Sequence, residues 1–129
     1  MSEQSLPIAP ERTPETDAFW DGANEGRLLL KRCAGTGKAF HPPRTISPFT
    51  GQADTDWTEA SGRGTVYSFS VTRRRGTEHC IAYVELDEGP IILSALVACD
   101  FDAVQIGQPV RVVFVPSSSG QMVPMFTVA

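Results

Sequence analysis

The chain has 129 residues, of which 41% are hydrophobic, and its formal net charge is -4. This length suits one compact unit, and the apolar content is enough for a packed core, which excludes global disorder. The negative charge opposes non-specific nucleic-acid binding, because nucleic-acid backbones bind to positive surfaces. The apolar runs are far shorter than the ~18 residues of a membrane span, so the sequence predicts no association with a membrane.

The three cysteines, Cys33, Cys80 and Cys99, are spread widely along the chain. This odd number and wide spacing favour reduced thiols over a disulfide framework. The first residues also lack the basic and apolar segments of a secretory signal. Together these features predict a cytoplasmic protein.

The chain begins with a polar, proline-rich stretch, residues 1–13, which we expect to be a flexible arm. A helix is predicted over residues 14–24, because Thr13 can cap it and Pro14 suits the first helical position. Gly26 is expected to end this helix.

The next part of the chain has the layout of a zinc ribbon, in which two knuckles with C-x-x-C spacing flank a hairpin. Short strands are predicted over residues 27–32 and 38–41. The four ligand positions hold Cys33, Thr36, Ser47 and Thr50. A hydroxyl does not replace a thiolate at neutral pH, because its pKa is far too high, and His41 is the one other ligand candidate nearby. The sequence therefore predicts a degenerate ribbon without zinc, held by hydrogen bonds between the Ser47 and Thr50 hydroxyls and backbone amides.

From residue 57 onward, apolar and polar residues alternate with a period of two, which predicts half-buried strands. In the first of them Tyr67, Phe69 and Val71 are expected to share one face. The five predicted strands cover residues 64–73, 79–86, 90–98, 109–115 and 122–128. Five strands with short turns favour a closed antiparallel barrel of OB type, since a sandwich usually needs about seven.

These elements predict a mainly β fold. An N-terminal helix and a degenerate zinc-ribbon-like hairpin are expected over residues 14–56. A five-stranded antiparallel OB-fold barrel is expected over residues 57–129.

A series of short motifs runs through the helix, the ribbon and the barrel. The motifs are Phe19-Trp20, Leu30–Cys33, Pro42–Arg44, Ser61–Phe69, Ala82–Leu86 and Ile106–Val110. In this order they resemble the acyl-CoA-associated family that has an N-terminal rubredoxin-like zinc ribbon and a C-terminal OB-fold. That family has long been described as a domain of unknown function. The resemblance covers residues 14–128.

The resemblance implies a non-catalytic accessory subunit. Its role would be to support acyl-CoA binding by a partner enzyme, either thiolase-like or a MaoC-like hydratase. Direct contact with acyl-CoA and assembly into a homo-oligomer both stay open. The zinc of the family is not expected here, because Thr36, Ser47 and Thr50 replace three of its ligands.

Four residues are candidates for contacts with acyl-CoA or with the partner. Arg73 and Arg74 belong to the strongest basic run of the chain, and guanidinium groups suit phosphates or an acidic surface. The same run could also be an edge strand protected by charge. Arg44 lies between the knuckles. Trp20 suits an acyl channel or an interface, although it could equally be a core residue.

Two alternative hypotheses assign the chain to other functional classes of protein. A single-stranded nucleic-acid-binding OB protein would stack bases on Tyr67, Tyr83 and Phe69. A free-standing enzyme would need an acid, a base or a nucleophile, and the sequence has no motif that supplies one. His79 and Cys80 do not form such a pair, because adjacent residues of a strand point to opposite faces. Enzymatic activity of the chain by itself is therefore left open.

Overall fold

The computed structural model describes residues 6–129, which form one helix, a three-stranded sheet and a closed five-stranded barrel. The helix α1 spans Asp17–Asn24. The strands of the first sheet are β1 (Leu29–Cys33), β2 (Ala39–Phe40) and β3 (Thr55–Glu59). The barrel strands are β4 (Arg63–Arg74), β5 (Thr77–Leu86), β6 (Ile91–Leu96), β7 (Pro109–Pro116) and β8 (Met122–Val128).

The helix begins three residues later than the predicted start at Pro14. The Thr16 amide donates to the Thr13 carbonyl at 2.9 Å, so the chain makes a turn before the helix, and Thr16 becomes its N-terminal cap. The predicted end at Gly26 agrees with the structure. Gly26 has φ 75°, and the amide of Arg27 donates back to the Gly22 carbonyl at 2.8 Å. This bond satisfies a carbonyl group at the end of the helix.

The ribbon sheet has the order β2-β1-β3, with β1 in the centre. Strand β3 pairs with the whole length of β1, from Leu29 opposite Glu59 to Cys33 opposite Thr55. The sequence did not indicate this strand, because Trp57 was expected to open the barrel instead. The proposed domain division between residues 56 and 57 falls inside β3 and stays a prediction.

The predicted five-stranded barrel is confirmed. Its strands close in the order β4-β5-β6-β8-β7, a ring completed by β7 pairing back onto β4. Strand β6 pairs with β8 in parallel, through Leu96 opposite Phe126. In the part of the chain that the structure describes, no other residue pair joins the two strands in the register, which leaves a gap between them. Across this gap the Ser94 hydroxyl donates to the carbonyl of Pro124, on the edge of β8, at 3.0 Å. A proline is suited to such an edge, since it has no amide hydrogen to donate.

The ribbon, the helix and the barrel share one hydrophobic core. Phe19 of α1 and Leu30 of β1 belong to the same buried cluster as Val66, Leu86 and Phe126 of the barrel. Burying a large apolar side chain contributes about 1.5–3 kcal/mol, so this shared core holds the ribbon firmly against the barrel.

Tyr67 is not on the face that the alternation of β4 predicted. A bulge between Val66 and Ser68 shifts the register of β4 against β5. As a result Val66 is buried and Tyr67 is 55% exposed. A bulge adds one residue to a strand and so reverses the alternation beyond it, which a fixed period of two does not reveal.

Residues 6–13 of the predicted arm lie against the rest of the chain, while residues 1–5 fall outside the described residues. The Ser118 amide donates to the Pro7 carbonyl at 2.9 Å, and Arg12 forms ion pairs with Asp17 and Asp21. The flexibility of the arm stays a prediction. Between residues 6 and 129, no helix is long and apolar enough to cross a membrane.

Candidate functional site

The two knuckles of the ribbon repeat one hydrogen-bond pattern at two places in the sequence. In the first, Gly37 donates to the Cys33 carbonyl at 2.7 Å, and Cys33 donates to the Lys38 carbonyl at 2.8 Å. In the second, Gly51 donates to Ser47 at 2.9 Å, and Ser47 donates to Gln52 at 2.8 Å. Both glycines have φ 74°, a left-handed conformation that glycine adopts without strain. The knuckle backbones are therefore retained in both halves of the ribbon.

Two of the other three ligand positions, Ser47 and Thr36, meet the buried Cys33 thiol. Hydrogen bonds from the Ser47 hydroxyl, then from Thr36, lower the pKa of Cys33. The Ser47 hydroxyl itself accepts from the amides of Phe49 at 3.1 Å and Thr50 at 3.3 Å. Thr50 in turn donates to the Asp54 carboxylate at 3.0 Å. The predicted bonds between these hydroxyls and backbone amides are thus present.

This donor set does not fit a structural zinc ion. Zinc in ribbons takes four thiolate or imidazole ligands, and here one thiol is surrounded by hydroxyl groups. Within residues 6–129, no group of three or more His, Cys, Asp or Glu side chains could hold a metal ion. The hydroxyl network connects the two knuckles instead.

A groove of about 420 Å³ opens between the helix, the ribbon and the gap between β6 and β8. Residues 92–95 and 123–125 form its floor, and Trp20 and residues 41–43 form its walls. Pro7, Ile8 and Pro10 of the arm complete the lining. Most of these side chains are apolar, and Trp20 packs edge-on against Phe19 with 4.9 Å between the ring centroids. We call this space the groove.

A second, wider space of about 670 Å³ lies beside the groove, and we call it the cleft. It is lined by the ribbon around Lys38 and Phe49 and by the turn from Glu88 to Ile91 in the barrel. The Lys38 ammonium lies 5.4 Å from the Phe49 ring centroid, a cation–π contact that leaves it near the surface. His41 lines both spaces, so the cleft and the groove are neighbours.

Two polar atoms in the walls of the cleft are buried without a hydrogen-bond partner among residues 6–129. They are Nδ1 of His41 and Oε1 of Glu88, whose other oxygen accepts from the Ser61 amide at 2.9 Å. Burial lowers the pKa of His41, so its imidazole is neutral at neutral pH. Buried polar atoms are nearly always paired, so these two mark a place where a polar group of another molecule would be stabilised.

The four site residues chosen from the sequence lie in different places. Trp20 lines the groove. Arg44 follows Pro43 of the groove lining. The hydrogen bond from the Thr45 amide lowers the pKa of Glu15, and the charge of Arg44 adds a smaller effect in the same direction. Arg73 and Arg74 lie at the far end of the β4–β5 hairpin. Arg73 is held by the carboxylates of Glu78 and Asp102.

Sequence reasoning missed Lys38, Glu88 and the floor of the groove. Lys38 sits in a glycine turn that looked purely structural. The floor residues belong to the predicted strands 90–98 and 122–128, but the gap between β6 and β8 depends on how the barrel closes. The sequence indicates His41 only as a candidate metal ligand, and the structure places it in the lining of both the groove and the cleft.

Two family comparisons match most of the chain. Residues 20–46 match the family described as "ChsH2, rubredoxin-like zinc ribbon domain". Residues 57–115 match the family described as "ChsH2, C-terminal OB-fold domain".

Similar proteins include curated relatives and a solved complex. The chain is 34% identical over 116 residues to a "Probable enoyl-CoA hydratase alpha subunit" of Thermomonospora curvata, matching 85% of this chain and 36% of that protein. It is 33% identical over 94 residues to a "DUF35 domain-containing scaffold protein" of Methanothermobacter thermautotrophicus, matching 67% and 71%. A chain of the solved "Ltp2-ChsH2(DUF35) aldolase" superposes with a TM-score of 0.82 at 30% identity, covering 93% of this chain and 98% of that one. The chain thus spans about a third of the length of the hydratase subunit it matches.

The retained knuckles predict that cysteines restore a metal site. We expect the variant Thr36→Cys/Ser47→Cys/Thr50→Cys to bind about one zinc ion per chain, since its four thiols would occupy the ligand positions of an intact ribbon. The unmodified chain should bind none after dialysis against zinc. Elemental analysis measures both. The matched control adds Cys33→Ser to the triple variant and should lose the metal. A triple variant without zinc would show that the four positions do not converge.

The buried imidazole predicts a pH dependence of stability. Because the pKa of His41 is lowered from 6.5, the unfolded chain binds protons more readily than the folded chain below pH 6.5. Stability should therefore fall as the pH decreases from 6.5 to about 5, above the range in which carboxylates titrate. Thermal melting of the His41→Gln variant should show a flatter profile over this interval. The exposed His79 provides the control, and His79→Gln should behave like the unmodified chain.

Proposed function

Because this chain belongs to the DUF35 family of rubredoxin-like zinc-ribbon and OB-fold proteins, we propose that it is a non-catalytic accessory subunit of an acyl-CoA enzyme. A partner of the hydratase class is favoured by the hydratase subunit relative, and one of the aldolase class by the solved complex. A thiolase-like partner, the other class implied by the sequence, rests on the resemblance alone.

The observation that carries this proposal is the groove beside the cleft. An acyl-CoA molecule is apolar at its acyl end, has amides along its pantetheine arm and carries phosphates at its other end. The apolar groove suits the acyl group, and Lys38 at the cleft suits a phosphate. His41 stands between them, where the arm would pass.

The two unpaired atoms fit the pantetheine part of this ligand. A carboxylate oxygen accepts hydrogen bonds only, so Oε1 of Glu88 would accept from an amide N–H. Nδ1 of His41 has no acceptor beside it within residues 6–129, which favours the tautomer with the proton on Nε2. Nδ1 is then an acceptor like Oε1, so both unpaired atoms need a donor. The pantetheine arm has two amide N–H groups that can donate, whereas the chain of a plain fatty acid has none.

An accessory role follows from the openness of both spaces. Ile91 and Phe49 of the cleft and Ile8 of the groove are exposed, so one side of a bound acyl chain would face water. Exposing an apolar chain to water opposes binding, and a partner surface that covers it removes this cost. We therefore propose that the complete acyl-CoA site is shared between this chain and its partner.

Affinity capture tests the proposed function. The tagged chain, expressed in its own organism and purified gently, should bring down a hydratase, aldolase or thiolase of acyl-CoA substrates in near-equal amount, identified by mass spectrometry. The complex should bind octanoyl-CoA in isothermal titration calorimetry. Purification of the chain without such an enzyme, together with no octanoyl-CoA binding, would contradict the proposal.

The position of Lys38 predicts a phosphate-dependent loss of affinity. In the captured complex, Lys38→Gln should weaken octanoyl-CoA binding about ten-fold or more, because a hydrogen bond to a charged group contributes about 1.5–3 kcal/mol. The same variant should bind octanoyl-pantetheine, which lacks the nucleotide phosphates, as well as the unmodified complex does. Lys31→Gln is the matched control, because the Lys31 ammonium lies over the Trp57 ring, 4.8 Å from its centroid. An equal loss for both ligands would argue against phosphate contact.

A further inference from the structure

The outer face of the barrel carries a continuous apolar surface over β4, β5 and β6. Its members are large side chains that are 40–57% exposed: Tyr67, Ile81, Tyr83, Ile91 and Leu93. Both tyrosines of the chain belong to it. We call this surface the outer face.

Strand register places these side chains in contact range of one another. Tyr83 of β5 lies opposite Leu93 of β6 and opposite Ser68 of β4, next to the bulge that turns Tyr67 outward. Ile81 lies two residues along β5 from Tyr83 and therefore on the same side. Directly opposite residues on neighbouring strands have side chains about 5 Å apart, so the apolar groups form one patch.

A basic hairpin tip borders the outer face. Beyond the barrel, β4 and β5 continue as a two-stranded arm that ends in a tight turn, with Arg75 at φ 48° and Gly76 at φ 80°. Arg74 and Arg75 at this tip form no ion pair with any carboxylate between residues 6 and 129. Arg73 is different, because Glu78 and Asp102 hold it and so brace the arm against the loop after β6. Arg73 is thus a positioning residue of the arm.

The composition of the outer face favours a protein over an oligonucleotide. Bases stack on a series of aromatic rings, and single-strand binders add a basic groove along the backbone. Here Ile81, Leu93 and Ile91 are aliphatic, and Glu85 adds a negative charge in the same outward row as Ile91. Phe69, the third ring expected to stack, lies on the inner side of β4 and packs against the core. An apolar centre with tyrosines and a charged rim is typical of a protein interface.

We infer that the outer face is the docking surface for the partner enzyme, with Tyr83 and Ile81 at its centre and Arg74 and Arg75 meeting an acidic rim of the partner. This inference rests on the proposed function, which supplies the kind of partner. Leu93 belongs both to the outer face and to the lining of the groove. A protein seated on the outer face therefore reaches the open side of the groove and covers a ligand there.

Paired variants test the surface with the partner enzyme identified by the capture experiment. Ile81→Thr/Tyr83→Thr removes the apolar centre without touching the groove lining, and threonine keeps a high propensity for strands. Calorimetry with the purified enzyme should show roughly 30-fold weaker binding, the usual loss at a central interface residue. Ile46→Thr is the matched control, since Ile46 is 49% exposed in the ribbon and not on the barrel strands of the outer face, and its binding should not change.

Charge variants test the hairpin tip in the same assay. Arg74→Glu should slow association, and the effect should shrink as salt is raised. The exposed Arg111, which lies opposite Arg63 at the end of β4 away from the hairpin tip, gives the control variant Arg111→Glu. Equal association rates for the two variants would show that the hairpin tip is not part of the interface.

The remaining outcomes separate this inference from the proposed function. If the Ile81→Thr/Tyr83→Thr variant melts like the unmodified chain and still binds the enzyme equally well, the docking surface is wrong and the proposed function stands. If the unmodified chain captures no acyl-CoA enzyme, both fail. Two results would assign the outer face to another occupant: binding of a 20-nucleotide single strand that this variant abolishes, or a homodimer in light scattering that it splits into monomers.

Discussion

The burial of Phe19 and Leu30 in the barrel core is the interaction on which the rest of the structure depends. These side chains come from the helix and from the central strand of the ribbon, yet they belong to the same buried cluster as Val66, Leu86 and Phe126 of the barrel. Truncating one such buried side chain typically costs about 2–5 kcal/mol, a large part of the stability of a small domain. The contact fixes the ribbon beside the gap between β6 and β8, and the groove exists because these parts are held there.

The same contact explains how a ribbon keeps its shape with one cysteine. Isolated zinc fingers gain about 10–16 kcal/mol of apparent binding energy from their metal and unfold without it. This ribbon has other sources of stability, because β3 pairs along the whole of β1 and Leu30 is buried in a shared core. The hydroxyl network around Cys33 then has only to position two turns whose glycines already favour the required backbone. The substitutions at Thr36, Ser47 and Thr50 are tolerable for this reason.

The sequence was sufficient for features that depend on local pattern. Alternation and apolar runs predicted the five barrel strands, and knuckle spacing predicted a ribbon with one cysteine among its four ligand positions. The sequence was insufficient for features that depend on contacts between residues far apart in the chain. Strand β3 pairs with β1 across more than twenty residues, and the bulge at Tyr67 reverses a face that a regular strand would have buried. The groove combines residues of the arm, the helix, the ribbon and two strands, so its lining could not be read from any one stretch. The ion pair of Arg73 with Asp102 also depends on distant residues, because Asp102 lies in a loop 29 residues away.

The arrangement of the groove, the cleft and the outer face supports a single function better than three separate ones. His41 belongs to both the cleft and the groove, and Leu93 belongs to both the groove and the outer face. A ligand along the first two would therefore end beside a protein on the third. Neither the ligand nor the partner needs a catalytic group from this chain in such an assembly. In the proposed assembly the chain would contribute position. Its shared core holds the ribbon, the ribbon would hold one side of the ligand, and the barrel would place that ligand beside the enzyme.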